Sequence, residues 1–235
     1  MPSQTDAIAA AIRGGDSSTL QRLIEAEPSL VKVRLGGRWK ERTPLHVVTD
    51  WPGFWPEAPQ IAQVLVDAGA AVDARSRSSD DGETPLHWTA SSDDADVAAV
   101  LIAAGADLEA PHGSIGTPLD NAVGYSCWNV ARLLVTSGAR VDKLWHAAAL
   151  GLSDRLRKLL DIPATQDEVS QAFWHACAAG QRRTAELLLE RGADLNWQPD
   201  YTAGTPFDAA HQAGTQSTNL IEWLEVRGAR SAVSS

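Results

Sequence analysis

The tetrapeptide Thr43-Pro44-Leu45-His46 recurs as Thr84-Pro85-Leu86-His87, then in altered form as Thr117-Pro118-Leu119-Asp120 and Thr205-Pro206-Phe207-Asp208. Self-similarity of this kind constrains a fold more than any composition does. Each copy must be one structural unit that buries its apolar face against the next. A second signature accompanies the first. It reads Leu65-Val66-Asp67-Ala68-Gly69-Ala70, returns at Leu101–Asp107 and Leu134–Ala139, and again at Leu188–Asp194. A degenerate copy ends the series at Glu225-Val226-Arg227-Gly228-Ala229. Thr84 and Thr117 stand 33 residues apart.

These signatures read as the two ends of a helix pair. Thr before Pro is a helix start, because Thr can cap and Pro suits the first helical position, where the missing N–H would be orphaned anyway. A short, Ala-rich first helix lets its neighbours approach closely. The second helix is amphipathic, with Val97, Val100 and Leu101 in one copy and Val130, Leu133 and Leu134 in another. Gly69, Gly105, Gly138, Gly192 and Gly228 supply the left-handed residue that ends it.

With two intact Thr-Pro-Leu-His copies and five Gly-Ala helix ends, the chain resembles the ankyrin-repeat family over nearly all its length. The resemblance implies an all-α ankyrin-repeat solenoid of about seven helix-pair units, with short hairpin or finger loops and atypical terminal caps. The domain boundaries expected are one repeat domain over 1–230 and a frayed tail over 231–235. In this family the first helices and the fingers usually bind a partner on the concave face, and the slot after the tetrapeptide points into it. That slot holds Ala10, Val47, Trp88, Asn121, His146, His175 and Ala209.

Departures from the repeat carry the rest of the argument. Asp50-Trp51-Pro52-Gly53-Phe54-Trp55-Pro56 is inserted between the helices of the second unit. Two Pro and one Gly in seven residues favour a shaped loop over a floppy one. Two units lack the tetrapeptide. Alignment on Gly151 and Gly180 puts Trp145 and Trp174 in the His slot. One turn along the first helices lie Trp51, Gly124, Tyr125 and several Ala residues. Trp39 and Tyr201 fall near finger tips, and Ser76–Ser79 read as a polar finger. His46 and His87 are expected to tie turns together, Asp120 and Asp208 to make local hydrogen bonds, and Cys177 to be inert core.

The leading expectation is a binding module that recognises a protein or peptide on the concave groove. The contacts expected are Trp51, Trp55, Trp88, Asn121, Tyr125, His146 and His175, with the 50–56 insertion shaping the site. The alternative is a small-molecule site or an unusual enzyme in the same groove. There His146 and His175 would serve as acid and base, because imidazole titrates near neutrality. Asp50 and Asn121 would orient a planar or apolar ligand stacked on Trp88. No metal set or cofactor motif is evident: two His lack a third ligand at a sensible spacing, and no Gly-rich phosphate loop, Ser elbow or Cys-x-x-Cys occurs.

Composition narrows the partners. The formal net charge is −10 and no long basic run occurs, so nucleic acid is not an expected partner. The longest apolar run, Val97 to Ala104, is far too short to cross a bilayer. The N-terminus has no signal-peptide pattern, and a cytoplasmic location is expected. Two cysteines make no disulfide framework. Nine Trp against three Phe and two Tyr is an unusual ratio, and Trp is common where surfaces bind.

Overall fold

A computed structural model of the chain describes residues 3–36, 41–76, 82–213 and 217–232. Trp39 lies outside the described residues, as do all of the expected polar finger except Ser76 and the last three residues of the expected tail. Fourteen α-helices form among the described residues, with one isolated antiparallel bridge between Leu35 and Arg42 in place of finger strands. None of these helices is long and apolar enough to cross a membrane. The helices pair as seven units of the expected kind, in two compact bodies, Met1–Arg140 and Val141–Ser235.

The first body holds α1 (Gln4–Gly14), α2 (Ser17–Ala26), a 3₁₀ turn (Pro28–Lys32), α3 (Pro44–Val48), α4 (Ala58–Asp67), α5 (Pro85–Ser92), α6 (Ala95–Ala103), α7 (Pro118–Gly124) and α8 (Trp128–Thr136). First helices α1, α3, α5 and α7 pack side by side in one layer, and second helices α2, α4, α6 and α8 in another. Leu45, Leu86, Leu65, Leu101 and Leu134 are fully enclosed between the layers. The second body holds α9 (Leu144–Ala149), α10 (Ser153–Leu160), α11 (Gln166–Ala178), α12 (Arg182–Glu190), α13 (Pro206–Gln212) and α14 (Thr218–Val226). Its core gathers around Phe173, with Leu156, Ala172, Ala176, Leu188, Leu220 and Leu224.

The tetrapeptide earns its recurrence through hydrogen bonds. The Thr43 N–H donates to His46 Nδ1 at 3.3 Å, so the imidazole proton sits on Nε2, which donates to Glu83 O at 3.0 Å. His87 repeats this with Thr84 and reaches Gly116 O at 3.1 Å. Each ring thus caps its own helix and takes the loop carbonyl that precedes the next one. In the altered copies Asp120 and Asp208 keep the local half, accepting from Thr117 N and Thr205 N at 2.8 Å. Trp174 keeps the other half: its indole N–H donates to Gly204 O at 3.1 Å. Gly204 stands before Thr205-Pro206 as Gly116 stands before Thr117-Pro118.

The Gly-Ala signature closes each second helix. At the end of α6, Gly105 has φ +86, its N–H donates to Ile102 O, and the Ala106 N–H reaches back to Leu101 O, both at 3.0 Å. That is a Schellman ending, and a Cβ at Gly105 would strain it. Gly69, Gly138, Gly192 and Gly228 end their helices with the same pair of bonds. One helix differs from expectation. Helix α11 starts at Gln166, two turns before the aligned slot, because Thr165 and Glu168 form a capping box there. Ala232 is held by its N–H bond to Asp208 Oδ2 at 2.9 Å.

Replacing fully enclosed Phe173 by Ala should cost about 3–5 kcal/mol, and His87→Ala about 1 kcal/mol through the lost bond to Gly116 O, which keeps the Gly113 N–H. Urea unfolding monitored by circular dichroism checks both. An unchanged midpoint in His87→Ala would remove the imidazole from the list of repeat-joining contacts.

Candidate functional site

The expected site residues divide between the two bodies: Trp51, Trp55, Trp88, Asn121 and Tyr125 lie in the first, His146 and His175 in the second.

In the first body the 50–56 insertion follows α3 and bends over the end of α5. Its shape has identifiable fasteners. Asp50 is ion-paired with Arg42, and its carbonyl accepts the Trp55 indole N–H at 3.1 Å. The Phe54 N–H donates to Asp94 Oδ2 at 3.1 Å, while the other Asp94 oxygen caps α6 through Val97 N. Gly53 has φ +78, and a Cβ there would sit 3.0 Å from Ser92. Only Gly allows both the turn and the approach. The loop so held leaves Trp51 78% exposed.

Beneath it lies a cavity of about 190 Å³, lined by Thr49, Asp50, Trp51, Glu83, Trp88, Ser91 and Ser92. Trp88 is set edge-on against His46, ring centroids 4.9 Å apart. Burial lowers His46 to about 4, and Arg34 adds to this, so the imidazole behind Trp88 is neutral at pH 7. Trp55, Asn121 and Tyr125 do not line the cavity, but they hold what does. Asn121 is fully buried, and its amide donates to Glu83 Oε1 at 3.0 Å while accepting from Ile115 N at 3.0 Å. Tyr125 Oη meets Ser114 Oγ at 3.0 Å, and the Ser114 N–H donates to Glu83 Oε1 at 2.8 Å.

Glu83 is a cavity-lining side chain that the repeat pattern did not reveal. Burial raises its pKa, but the bonds from Ser114 and Asn121 together outweigh burial and hold the carboxyl below its usual range. The group is therefore charged. Its position, directly before Thr84, carries Arg42 and Gly116 in the neighbouring copies, so nothing in the sequence marks it.

In the second body the rings of Trp145, His146, Trp174, His175 and Tyr201 form one aromatic cluster. Centroid separations run from 4.3 Å for Trp145–His146 to 6.4 Å for His175–Tyr201. His146 and His175 are 1% and 6% exposed. His175 Nε2 lies 3.2 Å from Tyr201 Oη. Burial lowers His175 to about 4, so it is neutral at pH 7. Enclosed in this way, the two rings pack within the cluster. A larger hollow of about 660 Å³ is lined by Arg155, Arg157, Arg183, Glu186 and Glu190 with their neighbours. It contains none of the expected site residues, and its mixed long charges make it a solvated groove.

Both thiols are buried. Burial pushes Cys127 up to about 11 and Cys177 higher still, so both are protonated thiols at pH 7. Among the described residues no group of three His, Cys, Asp or Glu is placed to hold a metal ion.

Residues 54–143 match the family described as Ankyrin repeats (3 copies). No curated protein matches the chain. Among solved structures, the ankyrin repeat domain of Bcl-3, described as a unique member of the IkappaB protein family, is 23% identical with a TM-score of 0.55. That likeness covers 93% of this chain and 97% of that one. The human ASB11 ankyrin repeat domain is 21% identical with a TM-score of 0.56, over 95% of this chain and 98% of the other. At these identities the likeness establishes the fold.

The two buried imidazoles set a pH dependence. His46 and His175 titrate near 4 when folded and near 6.5 when unfolded, so between those values only the unfolded chain takes up their protons. Their contribution is complete above pH 6.5 and is lost as pH falls toward 4, at about 3 kcal/mol per imidazole. Urea midpoints at pH 7.5 and 4.5 measure this. Equal midpoints would mean that both rings titrate as free histidine.

Proposed function

We propose that this ankyrin-repeat chain is a binding module that recognises a protein or peptide partner on the face of its first helices, with residues 50–56 forming one wall of the contact site. Ankyrin repeats are in general protein–protein interaction modules, and the reading here adds where the contact falls. The observation that carries it is Trp51. An indole 78% exposed at the rim of a cavity, on a loop fastened by Arg42, Asp94 and Trp55, is a large apolar group held in water by the backbone that carries it. Rigid aromatic groups of this kind anchor interfaces. Phe54, 67% exposed on the same loop, extends the surface.

Cavity size separates this reading from a small-molecule site. About 190 Å³ falls below the roughly 300–1,000 Å³ of drug-sized ligand pockets, and suits a single side chain. The enclosure of His146 and His175 gives the acid–base alternative no support. The net charge of −10 favours a basic partner by steering its approach.

Peptides selected against the full chain from a random display library test the proposal. Trp51→Ala should weaken the selected peptides by about 2 kcal/mol, near 30-fold, and leave the urea midpoint unchanged because the ring is exposed. Selected peptides that bind Trp51→Ala and Trp88→Phe as tightly as the native chain would overturn it.

A further inference from the structure

The cavity beside Trp51 has a chemical bias as well as a size. Three hydroxyls line it, and each commits its proton to the backbone beneath. Thr49 Oγ1 donates to Leu45 O at 3.2 Å, Ser91 Oγ to His87 O at 3.0 Å and Ser92 Oγ to Trp88 O at 3.2 Å. Toward the cavity their oxygens are left as acceptors. Asp50 is already paired with Arg42. Glu83 is not: among the described residues it forms no ion pair, and its carboxylate accepts only from neutral donors of Ser114 and Asn121. The remaining walls are the indoles of Trp51 and Trp88.

A lining of hydroxyls, one carboxylate without an ion pair and two indoles disfavours an anion and gives a neutral acceptor little to bind. It suits a planar cation with many donors. Guanidinium has five N–H groups in one plane, stacks on aromatic faces and sheds water more readily than ammonium. Lysine would satisfy the carboxylate, but its three donors sit on a compact, strongly hydrated head. We infer that this cavity is an arginine pocket, in which an arginine side chain of the partner protein lies against Trp51 and Trp88 and its guanidinium meets Glu83. The inference rests on the reading of this face as a partner-binding surface, and names what that surface selects.

The test is a titration of Nα-acetyl-arginine amide into the ¹⁵N-labelled full chain, followed at the tryptophan indole N–H signals. Spectra of Trp51→Ala and Trp88→Phe assign the two signals. Both should shift saturably with the arginine amide and stay unmoved by the isosteric, neutral citrulline amide. The lysine amide should bind about fivefold more weakly. Glu83→Gln should weaken arginine about tenfold. Should Glu83→Gln unfold, Ser91→Ala removes one acceptor on an intact helix, and a smaller loss is expected there. An equal response to citrulline or lysine, or no response at the two indoles, overturns the pocket. The selected peptides separate the two levels of the argument. If their Trp51-dependent binding survives replacement of every arginine by citrulline, the arginine pocket falls and the binding surface stands. If no peptide depends on Trp51, the binding surface falls, and the amide titration still decides the pocket.

Discussion

Every first helix of a repeat begins on a loop, and the carbonyl before that loop's cap must find a donor once water is excluded. His46 supplies one for Glu83 O, His87 for Gly116 O and Trp174 for Gly204 O, all at 3.0–3.1 Å. Glu83 O and Gly116 O each also accept one backbone N–H from their own loop, so the ring supplies the second bond, worth about 1 kcal/mol. These bonds run between consecutive helix pairs, so they bind repeats to each other where apolar contact alone would leave their register loose. Indole can replace imidazole at Trp174 because the link needs one N–H at that distance and nothing else of the ring. The local cap that His also provides is given up, and α11 instead begins two turns earlier on the Thr165–Glu168 box.

The same link builds the candidate site. Glu83 has its carbonyl taken by His46, and it is further tied to Ser76 through Ser76 N to Glu83 O and Glu83 N to Ser76 Oγ. With its backbone fastened, its carboxylate is aimed by Ser114 and Asn121. A site residue on rigid backbone loses little entropy when a partner arrives. The insertion opposite is fastened in its own way, through Arg42, Asp94 and the Trp55 indole. Trp51 therefore projects from a braced loop, and Trp88 rests on a neutral His46.

Much of this was legible in the residues. The Thr-Pro starts, the Gly-Ala ends and the placement of Trp174 over a histidine all follow from local bonding rules that repeat with the period. The insertion was legible as a shaped loop from its Pro and Gly, and Trp51 and Trp88 as binding candidates from their slots. Glu83 was not, because its role comes from Asn121, 38 positions away, and from Ser114. Nor could slots distinguish facing a groove from being enclosed. Asn121, His146 and His175 share the slot of Trp88, yet they are buried, since neighbouring helices and finger loops close over them.

By itself, then, the order of amino acids determined the kind of unit and its count. Those depend on capping, backbone conformation and apolar spacing within a few residues of each other. Only tertiary structure decided which side chains of the shared slot meet solvent and which carboxylate lines the cavity. Exposure and charge compensation are set by whatever packs against a residue from other repeats, and no local pattern encodes that.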